Sequence, residues 1–342
     1  MRAVVLEHHG GPEALVQKDV PEPAPPPGWV KVRIRACALN HLDLWARRGL
    51  PGIRYPLPLI LGNDIAGEVA ELGAGVSDMK PGDEVVLAPG FGCGRCQACA
   101  AGDDNLCRAY RILGNGLDGG YAEYVTAPAA NALPKPARLS WPEAAAVPLV
   151  FLTAWHMLVH KARVRPGEDV LVLAAGSGVG VAAIQVAKLF GARVLAAAST
   201  DEKLAKARAL GADETVNYAE NDFAAEVRRL TDKKGVEIVV EHTGQDTWPK
   251  SILSAARGGR IVTCGATSGH DAVTDLRHVF GRQIQILGSY MGRRAELFEV
   301  LRWMERGRLS PVVDRVLPLA QAPEAHRALE AREAFGKVVL QP

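Results

Sequence analysis

The sequence of 342 residues contains no long apolar run and no block of like charges. Its most apolar stretch, residues 144–158, is shorter than the ~20 residues that cross a bilayer as a helix, and it contains Pro148. Lysine and arginine (40) nearly balance aspartate and glutamate (38), and both signs are mixed along the chain. Such a composition does not favour nucleic acid or a membrane surface. We therefore expect a small-molecule partner, no nucleic acid and no membrane.

Features of secreted proteins are scarce as well. Residues 1–7 have a strand pattern and lack the apolar core and cleavage site of a signal peptide. There are only six cysteines, and four of them are crowded within residues 93–107 at a spacing typical of metal ligands. This cysteine usage fits a reducing compartment, and we expect a cytoplasmic protein.

The length suits about two domains of ~150 residues each. Residues 1–145 contain short strand patterns separated by proline and glycine. From residue 146 the pattern alternates strands and helices, with strands predicted at 170–175, 193–198, 215–218, 236–240, 260–264 and 283–287. This pattern predicts an α/β fold with a doubly wound parallel sheet of six strands. We expect the tail, residues 289–342, to return to the first domain.

The centre of the second domain is a strand, a glycine-rich turn and a helix. The apolar run 170–175 leads into the turn, and apolar residues then recur at helical spacing as far as Phe190. Small residues let the backbone approach a pyrophosphate, and the free N–H groups of a helix N-terminus face it. In this setting the turn predicts a dinucleotide site, formed by Gly176, Ser177, Gly178, Val179 and Gly180.

The cysteine lobe, about residues 91–110, contains four cysteines in the pattern C-x2-C-x2-C-x7-C. They are Cys93, Cys96, Cys99 and Cys107. Four thiolates on a short loop can hold one tetrahedral Zn²⁺ and leave no position open for water or substrate, so the pattern predicts a structural zinc. Reduced cysteines without a metal and disulfides are the alternatives, and the spacing disfavours both.

Together these features resemble the medium-chain dehydrogenase/reductase superfamily, which includes zinc-type alcohol dehydrogenases and quinone oxidoreductases. The resemblance covers essentially the whole chain and is carried by residues 62–69, 81–85 and 118–125, the cysteine lobe and the dinucleotide turn. It implies a GroES-like catalytic domain over residues 1–145, a Rossmann domain over 146–288 and a C-terminal return over 289–342, with a cleft between the two domains.

The resemblance breaks at the catalytic zinc of the alcohol dehydrogenases. Asn40 and Asn63 stand where that family places a cysteine and a histidine, and the position of its third ligand, a cysteine or acid, falls near Leu149. Asparagine is a poor zinc ligand and leucine is none, so we expect no catalytic zinc. Cys37 and His41 are conceivable substitute ligands, but Cys37 lies in a strand pattern typical of a small buried residue.

Without a catalytic zinc, the sequence resembles the zinc-independent quinone oxidoreductases, which reduce quinones or α,β-unsaturated carbonyls. Catalysis would then rest on holding the nicotinamide against the acceptor, with Asn63, Tyr55 or water donating to the carbonyl oxygen. For Asn63 and Asp64 a role as turn residues of a glycine-rich loop explains the sequence equally well. The resemblance implies these candidate catalytic residues: Asn40, Trp45, Tyr55, Asn63 and Asp64.

NAD-binding Rossmann domains carry an acid at the end of the second strand, where this sequence has Ala198. Without that carboxylate a 2′-phosphate is not repelled, and Ser199, Thr200 and Lys203 offer donors and a positive charge, so we expect NADP(H) in preference to NAD(H). The alternative is that these residues only cap the next helix. By resemblance, further coenzyme contacts come from Thr153, Tyr218, Thr243, Cys264 and Tyr290.

The leading hypothesis is therefore an NADP(H)-dependent reductase of quinones or activated alkenes with one structural zinc. A zinc-type alcohol dehydrogenase with an altered site is the first alternative, favoured by the intact cysteine lobe. A crystallin-like protein that binds NADPH without catalysis is the second. The family implies a homodimer or homotetramer in which the sheet edge near residues 283–287 pairs with its copy.

Overall fold

The computed structural model describes residues 1–50 and 52–342, which form two compact units. The discontinuous unit comprises Met1–Leu149 and Arg293–Pro342, and the continuous unit comprises Val150–Gly292. The chain therefore leaves the first unit, completes the second and returns to the first.

The discontinuous unit is built mainly on antiparallel strands. Its longest strand, Trp29–Ala38, pairs with three neighbours, Asp64–Leu72, Tyr124–Pro128 and Lys337–Gln341. The same sheet continues through Glu84–Leu87, Ala132–Pro134 and Val313–Pro318. Smaller sheets contain the strands Leu15–Asp19, Arg2–Leu6, Leu59–Ile60, Gly90–Phe91 and Arg111–Ile112.

Alternation along the longest strand explains why it lies at the centre of this sheet. Val30, Val32 and Ile34 are at most 3% exposed and enter the core. Lys31 and Arg33 project to the other face, where they lie opposite glutamates of the neighbouring strand. Removing the branched side chains from water stabilises the pairing.

Short helices connect the strands of this unit. The helix His41–Arg48 begins after Asn40, whose backbone N–H donates to Asp43 Oδ2 at 2.7 Å. Asn40 and Asp43, the third helical residue, form a capping box, which fixes the backbone conformation at the start of the helix. Other helices of the unit are Gln97–Ala100, Trp141–Ala145, Arg294–Glu305 and Ala322–Glu330.

The continuous unit, all of whose residues are described, contains a parallel sheet of six strands. Their spatial order is Glu214–Asn217, Arg193–Ala198, Asp169–Val172, Val236–Glu241, Ala255–Thr263 and Gln285–Gly288. The strand that comes first in the chain lies in the middle, and the connections reverse direction there. This doubly wound arrangement confirms the predicted fold class.

Helices cover both faces of this sheet, so its central strands are mostly apolar and do not alternate. Val170, Leu171 and Val172, for example, are all fully buried. After the helix Pro148–Trp155 and the π-helical segment His156–Lys161, the helices are Gly178–Leu189, Asp201–Ala209, Phe223–Leu230, Trp248–Ser254 and Leu276–Arg282.

One strand differs clearly from its predicted bounds. Ala255–Thr263 begins before the predicted start at residue 260 because Gly258 and Gly259 lie within the strand. The pairing register with Val236–Glu241 shifts at this point, so the two glycines occupy an irregularity of the ladder and do not end it.

Candidate active site

The dinucleotide turn lies between the strand Asp169–Val172 and the helix Gly178–Leu189. Ser177 caps the helix, and its Oγ accepts a hydrogen bond from the Gly180 N–H at 2.9 Å. A Cβ at Gly180 would lie 2.4 Å from the Ala174 carbonyl oxygen, so the turn requires glycine there. This geometry suits a pyrophosphate at the helix N-terminus.

The neighbouring strand ends at Ala198 and is followed by Ser199 and Thr200. Thr200 caps the next helix, because its Oγ1 accepts from the Lys203 backbone N–H at 3.3 Å. The capping role considered for this segment is therefore present in the structure. It occupies one lone pair of the threonine hydroxyl and leaves its proton free to donate.

The remaining strands of the sheet also lead into predicted coenzyme residues. Because the carboxyl ends of parallel strands share one edge, these residues lie along the same edge as the dinucleotide turn. They are Tyr218, Thr243, Cys264 and Tyr290. Thr153 differs, since it is a buried residue of the helix Pro148–Trp155.

Glu241 is a buried residue of this edge that the sequence analysis did not single out. Its carboxylate is 0% exposed and accepts from the backbone N–H groups of Thr243 at 2.7 Å and Gly244 at 3.1 Å. The hydroxyls of Thr247 and Ser251 also donate to it. Glu241 therefore fixes the loop that carries Thr243. An acid at the end of a mostly apolar strand was the available signal.

In the discontinuous unit, a buried polar cluster joins two of the predicted catalytic residues to a lysine. Lys337 Nζ donates to Asp64 Oδ2 at 2.8 Å and to Asn40 Oδ1 at 2.6 Å. Asn40 Nδ2 also donates to Asp64 Oδ2, at 3.0 Å. We call these three residues the Lys337 cluster. Lysine and carboxylate neutralise one another there, and the asparagine amide is held at both ends.

The sequence analysis missed Lys337 because its partners lie far away in the chain. The strand Lys337–Gln341 lies beside Trp29–Ala38, which in turn lies beside Asp64–Leu72, and this pairing brings the three residues together. A lysine at the start of an apolar strand was the only local signal.

The second oxygen of Asp64 is also occupied. Asp64 Oδ1 accepts from the backbone N–H of Leu149 at 2.7 Å. Leu149, which the sequence analysis places near the third zinc-ligand position of alcohol dehydrogenases, therefore contributes a backbone donor. Both carboxylate oxygens of Asp64 are engaged by groups of the chain itself.

Asp43 lies next to this cluster and is fully buried. It accepts from the backbone N–H groups of Asn40 at 2.7 Å and Gly62 at 3.0 Å. Burial raises the pKa of Asp43 to about 7, although both N–H groups and the Lys337 charge act in the opposite direction. Asp43 therefore links the start of its helix to the loop that contains Asn63 and leads into Asp64.

Asn63 is fully buried, and its side-chain Nδ2 donates to the Leu113 carbonyl oxygen. Its Oδ1 has no hydrogen-bond partner among the described residues. The amide is therefore oriented by a neighbouring loop. A role as a turn residue explains the contact of Asn63 with Leu113. It does not explain why the buried Oδ1 atom of Asn63 has no hydrogen-bond partner.

The two aromatic candidates lie on other parts of the unit. Tyr55 is 9% exposed, and its ring packs edge-on against His9 with centroids 5.5 Å apart. Trp45 is half-buried on the helix His41–Arg48. The structure thus brings Asn40 and Asp64 into direct contact and places Trp45 on the helix that Asn40 caps.

Cys37 is packed as a small core residue. It is 0% exposed, and burial raises the pKa of its thiol well above the usual range. A Cβ at Gly62 or Gly120 would lie within 2.7 Å of its Sγ, so no space for an ion remains on that side. These contacts argue against Cys37 as a thiolate ligand.

The cysteine lobe brings its four Sγ atoms together, all within 4.8 Å of one another. Tetrahedral Zn–S bonds of ~2.3 Å place sulfurs ~3.8 Å apart, so the four thiols fit a zinc ion after a small contraction. Within residues 1–50 and 52–342, no other group of three or more histidine, cysteine or acidic side chains has such a geometry. The described helices also include none that is long and apolar enough to span a membrane.

Comparison with protein families gives two matches that together cover most of the chain. A model described as alcohol dehydrogenase GroES-like domain matches residues 26–137, and a model described as zinc-binding dehydrogenase matches residues 178–306. The first lies in the discontinuous unit and includes the cysteine lobe. The second begins at the dinucleotide turn.

Individual proteins are similar over their full length. An NAD-dependent alcohol dehydrogenase of Saccharolobus solfataricus is 33% identical over 354 residues, with 100% of both chains covered. A quinone oxidoreductase of Sus scrofa is 29% identical over 346 residues, covering 99% of this chain and 97% of its own.

Similar solved structures include one named as a dehydrogenase and one named as a carboxylase/reductase. The crystal structure of an NAD-dependent alcohol dehydrogenase has a TM-score of 0.97 at 57% identity, with 100% of both chains covered. The crotonyl-CoA carboxylase/reductase AntE in complex with NADP has a TM-score of 0.91 at 28% identity, covering 100% of this chain and 94% of its own.

Proposed function

Because the chain belongs to the medium-chain dehydrogenase/reductase superfamily and is an NAD(P)-dependent oxidoreductase, we propose that it reduces quinones or α,β-unsaturated carbonyls without a catalytic zinc. In this proposal one zinc ion occupies the cysteine lobe and has a structural role. The coenzyme lies at the carboxyl edge of the parallel sheet.

The Lys337 cluster carries the proposal. A catalytic zinc needs thiolate, imidazole or carboxylate ligands, and the corresponding positions hold Asn40, Asn63 and Leu149. Asp64, the acid that follows Asn63, has both oxygens occupied by Lys337, Asn40 and the Leu149 backbone. The donor set therefore does not fit a zinc ion at this place.

The residues at this place suit substrates that accept a hydride without the help of a metal. When bound, the nicotinamide coenzyme supplies the hydride. A quinone or enone accepts hydride at a carbon that is already electrophilic, and its carbonyl oxygen then takes a proton or a hydrogen bond. The chain contributes amides in fixed orientations: Asn40 is held by Lys337 and Asp64, and Asn63 by Leu113. An alcohol, in contrast, must lose its hydroxyl proton, which zinc normally assists.

The alternative function is alcohol oxidation, and two findings favour it. The four-cysteine lobe typical of zinc-type alcohol dehydrogenases is present, and the solved structure at 57% identity is named an NAD-dependent alcohol dehydrogenase. In this case alcohol oxidation would require another way to remove the hydroxyl proton.

For the coenzyme, we propose a preference for NADP(H). The second strand ends at Ala198, so no carboxylate repels a 2′-phosphate there. The nearest acid that follows, Asp201, accepts from Asn217 Nδ2 at 3.0 Å. The hydroxyl of Thr200 and the ammonium of Lys203 are the groups that would bind the phosphate. AntE is an example of a similar structure with NADP, whereas other relatives are named NAD-dependent.

We also propose a homo-oligomer that forms through the last strand of the parallel sheet. Gln285–Gly288 is an edge strand, and the residues near it expose a run of large apolar side chains. Their exposed fractions are 81% for Val273, 67% for Leu276, 73% for Phe280 and 41% for Ile286. An exposed edge bordered by apolar side chains is a typical surface for association.

The deciding experiment combines zinc analysis with a substrate panel on the full-length chain purified without chelators or added metal. We expect one zinc per chain and NADPH-dependent reduction of quinones or enones, with slower or no oxidation of primary and secondary alcohols with NADP⁺ or NAD⁺. Two zinc ions per chain and faster alcohol oxidation would establish the alternative. Tight NADPH binding without turnover of any acceptor would identify a crystallin-like binding protein.

A further inference from the structure

His242 follows the buried strand Val236–Glu241 at the carboxyl edge of the parallel sheet. The adjacent strand, Asp169–Val172, leads into Ser177, and the two side chains meet there. His242 Nε2 lies 2.9 Å from Ser177 Oγ, and the histidine is 7% exposed. This residue therefore lies beside the N-terminus of the helix that follows the dinucleotide turn.

The contacts of Ser177 indicate which nitrogen of His242 carries the proton. Ser177 Oγ accepts from the Gly180 N–H, and its own hydroxyl proton is then available to donate to His242 Nε2. A neutral imidazole that accepts at Nε2 is protonated at Nδ1. Burial lowers the pKa of His242 to about 4, which keeps the ring neutral near pH 7.

The Nδ1 atom of His242 is buried and has no hydrogen-bond partner in the described part of the chain. Buried donors are nearly always paired in folded proteins, because an unpaired one has lost its water without gaining an acceptor. The unpaired Nδ1–H therefore indicates a ligand that offers an acceptor atom next to the helix N-terminus.

We propose that His242 binds the coenzyme directly, with its Nδ1–H donating to a pyrophosphate oxygen. Phosphate oxygens are strong acceptors, and the backbone N–H groups of the adjacent helix turn are suited to the same group. A neutral imidazole adds a directed donor and no charge. The inference rests on the coenzyme part of the proposed function and is independent of the substrate.

Two conservative variants distinguish the role of the Nδ1 atom of His242 from that of its Nε2 atom. His242→Gln places an amide near the Nε2 position, so it retains a partner for Ser177 and loses the Nδ1 donor. His242→Asn places an amide near the Nδ1 position, so it retains the donor and loses the contact with Ser177. The ligands are ADP, which contains the pyrophosphate, and ADP-ribose, which adds the second ribose. Binding is measured by calorimetry in the absence of any substrate.

We expect His242→Gln to weaken binding of both ADP and ADP-ribose by about tenfold and His242→Asn to bind both nearly as the native protein does. If His242→Gln weakened the binding of ADP-ribose but not of ADP, the Nδ1–H would donate to a ribose hydroxyl, and the pyrophosphate assignment would be wrong. Equal weakening in the two variants, or none in either, would overturn a role of Nδ1 altogether. These outcomes do not depend on whether the protein reduces enones or oxidises alcohols.

A measurement on the native protein keeps the proposal testable even if a variant folds poorly. Nitrogen-15 NMR of histidine-labelled protein reports which ring nitrogen carries the proton. We expect the His242 signal of the unliganded protein to show the Nδ1-protonated form, and we expect its Nδ1 resonance to shift when ADP is added. A ring protonated at Nε2, or an Nδ1 resonance that ADP does not move, would contradict the proposal.

Discussion

Lys337 and Asp64 form an ion pair in the interior of the discontinuous unit, with Nζ and Oδ2 2.8 Å apart and side chains only 3% and 0% exposed. Removal of one member leaves the other charge buried without a partner, which typically costs about 3–5 kcal/mol. We expect Lys337→Met to lower the free energy of unfolding by about this amount in urea denaturation. The double variant with Asp64→Asn should regain most of the loss.

Lys206→Met is a matched control for this experiment. Lys206 forms an exposed pair with Glu202 on a helix surface, and its removal should change stability by no more than about 0.5 kcal/mol. If Lys337→Met were no more destabilising than Lys206→Met, the buried pair would not have the energetic role we assign to it.

Asp43 makes the stability depend on pH in a direction that is unusual for a carboxyl group. Its pKa in the folded protein is about 7, above the ordinary value of 3.8, so the folded state binds this proton more tightly than the unfolded state does. The contribution of Asp43 to the free energy of unfolding should therefore fall as the pH rises from about 4 to about 7 and then level off.

This pH dependence is measured as the difference between the native protein and Asp43→Asn in urea denaturation across that range. The subtraction removes the contributions of the other titrating groups. A difference that is constant with pH, or one that rises, would contradict the raised pKa.

Zinc in the cysteine lobe should depend on every one of the four thiols. We expect Cys96→Ser to reduce zinc from one ion per chain to well below one and to lower the melting temperature, because metal binding contributes to folding of such a site. Elemental analysis and thermal unfolding measure the two effects. Cys37→Ala, which changes a buried cysteine outside the lobe, should retain the zinc; loss of zinc in this control would indicate a second site near Asn40.

Coenzyme preference can be reversed at the end of the second strand. Ala198→Asp places a carboxylate where NAD-binding Rossmann domains have one, and it should weaken NADPH binding by at least about tenfold while strengthening that of NADH. Fluorescence titration with both coenzymes provides the comparison. Lys203→Met should weaken NADPH alone. If the native protein already bound NADH more tightly, the proposed preference would be wrong.

The exposed apolar residues near the sheet edge make the oligomer testable. Phe280→Glu should shift the mass in light scattering toward the monomer, because it buries a charge in the proposed interface. Val316→Glu is the control, since Val316 is an exposed apolar residue on a strand of the other unit. A native protein that is monomeric at all concentrations would refute the interface.

Sequence reasoning identified local structure where that structure depends on neighbours in the chain. The dinucleotide turn and the cysteine lobe are local patterns, and their side chains and backbone must converge if the local pattern forms. The six parallel strands were also predictable, because long apolar runs between helices have few other arrangements.

The partners of buried polar groups were not predictable in this way. Asn40 and Asp64 were identified as candidates, but their contact with Lys337 depends on strand pairing across 297 and 273 positions of the chain. His242 was hidden for a similar reason, since its partner Ser177 lies 65 positions away in the chain. The partners of Glu241 lie within the ten residues that follow it, but no sequence motif identifies them. Pattern analysis detects an unusual residue type at such positions, whereas only the tertiary structure identifies what it contacts.

The strand order of the discontinuous unit also constrains its assembly during translation. Lys337 is synthesised after the whole continuous unit, so Asp64 has no ion partner while residues 150–292 emerge from the ribosome. The continuous unit can complete its own sheet at that stage, because all six of its strands are already present. On a nascent chain, the parallel sheet can therefore form before the discontinuous unit is complete, because the central strand Trp29–Ala38 of that unit pairs with Lys337–Gln341 from the end of the sequence.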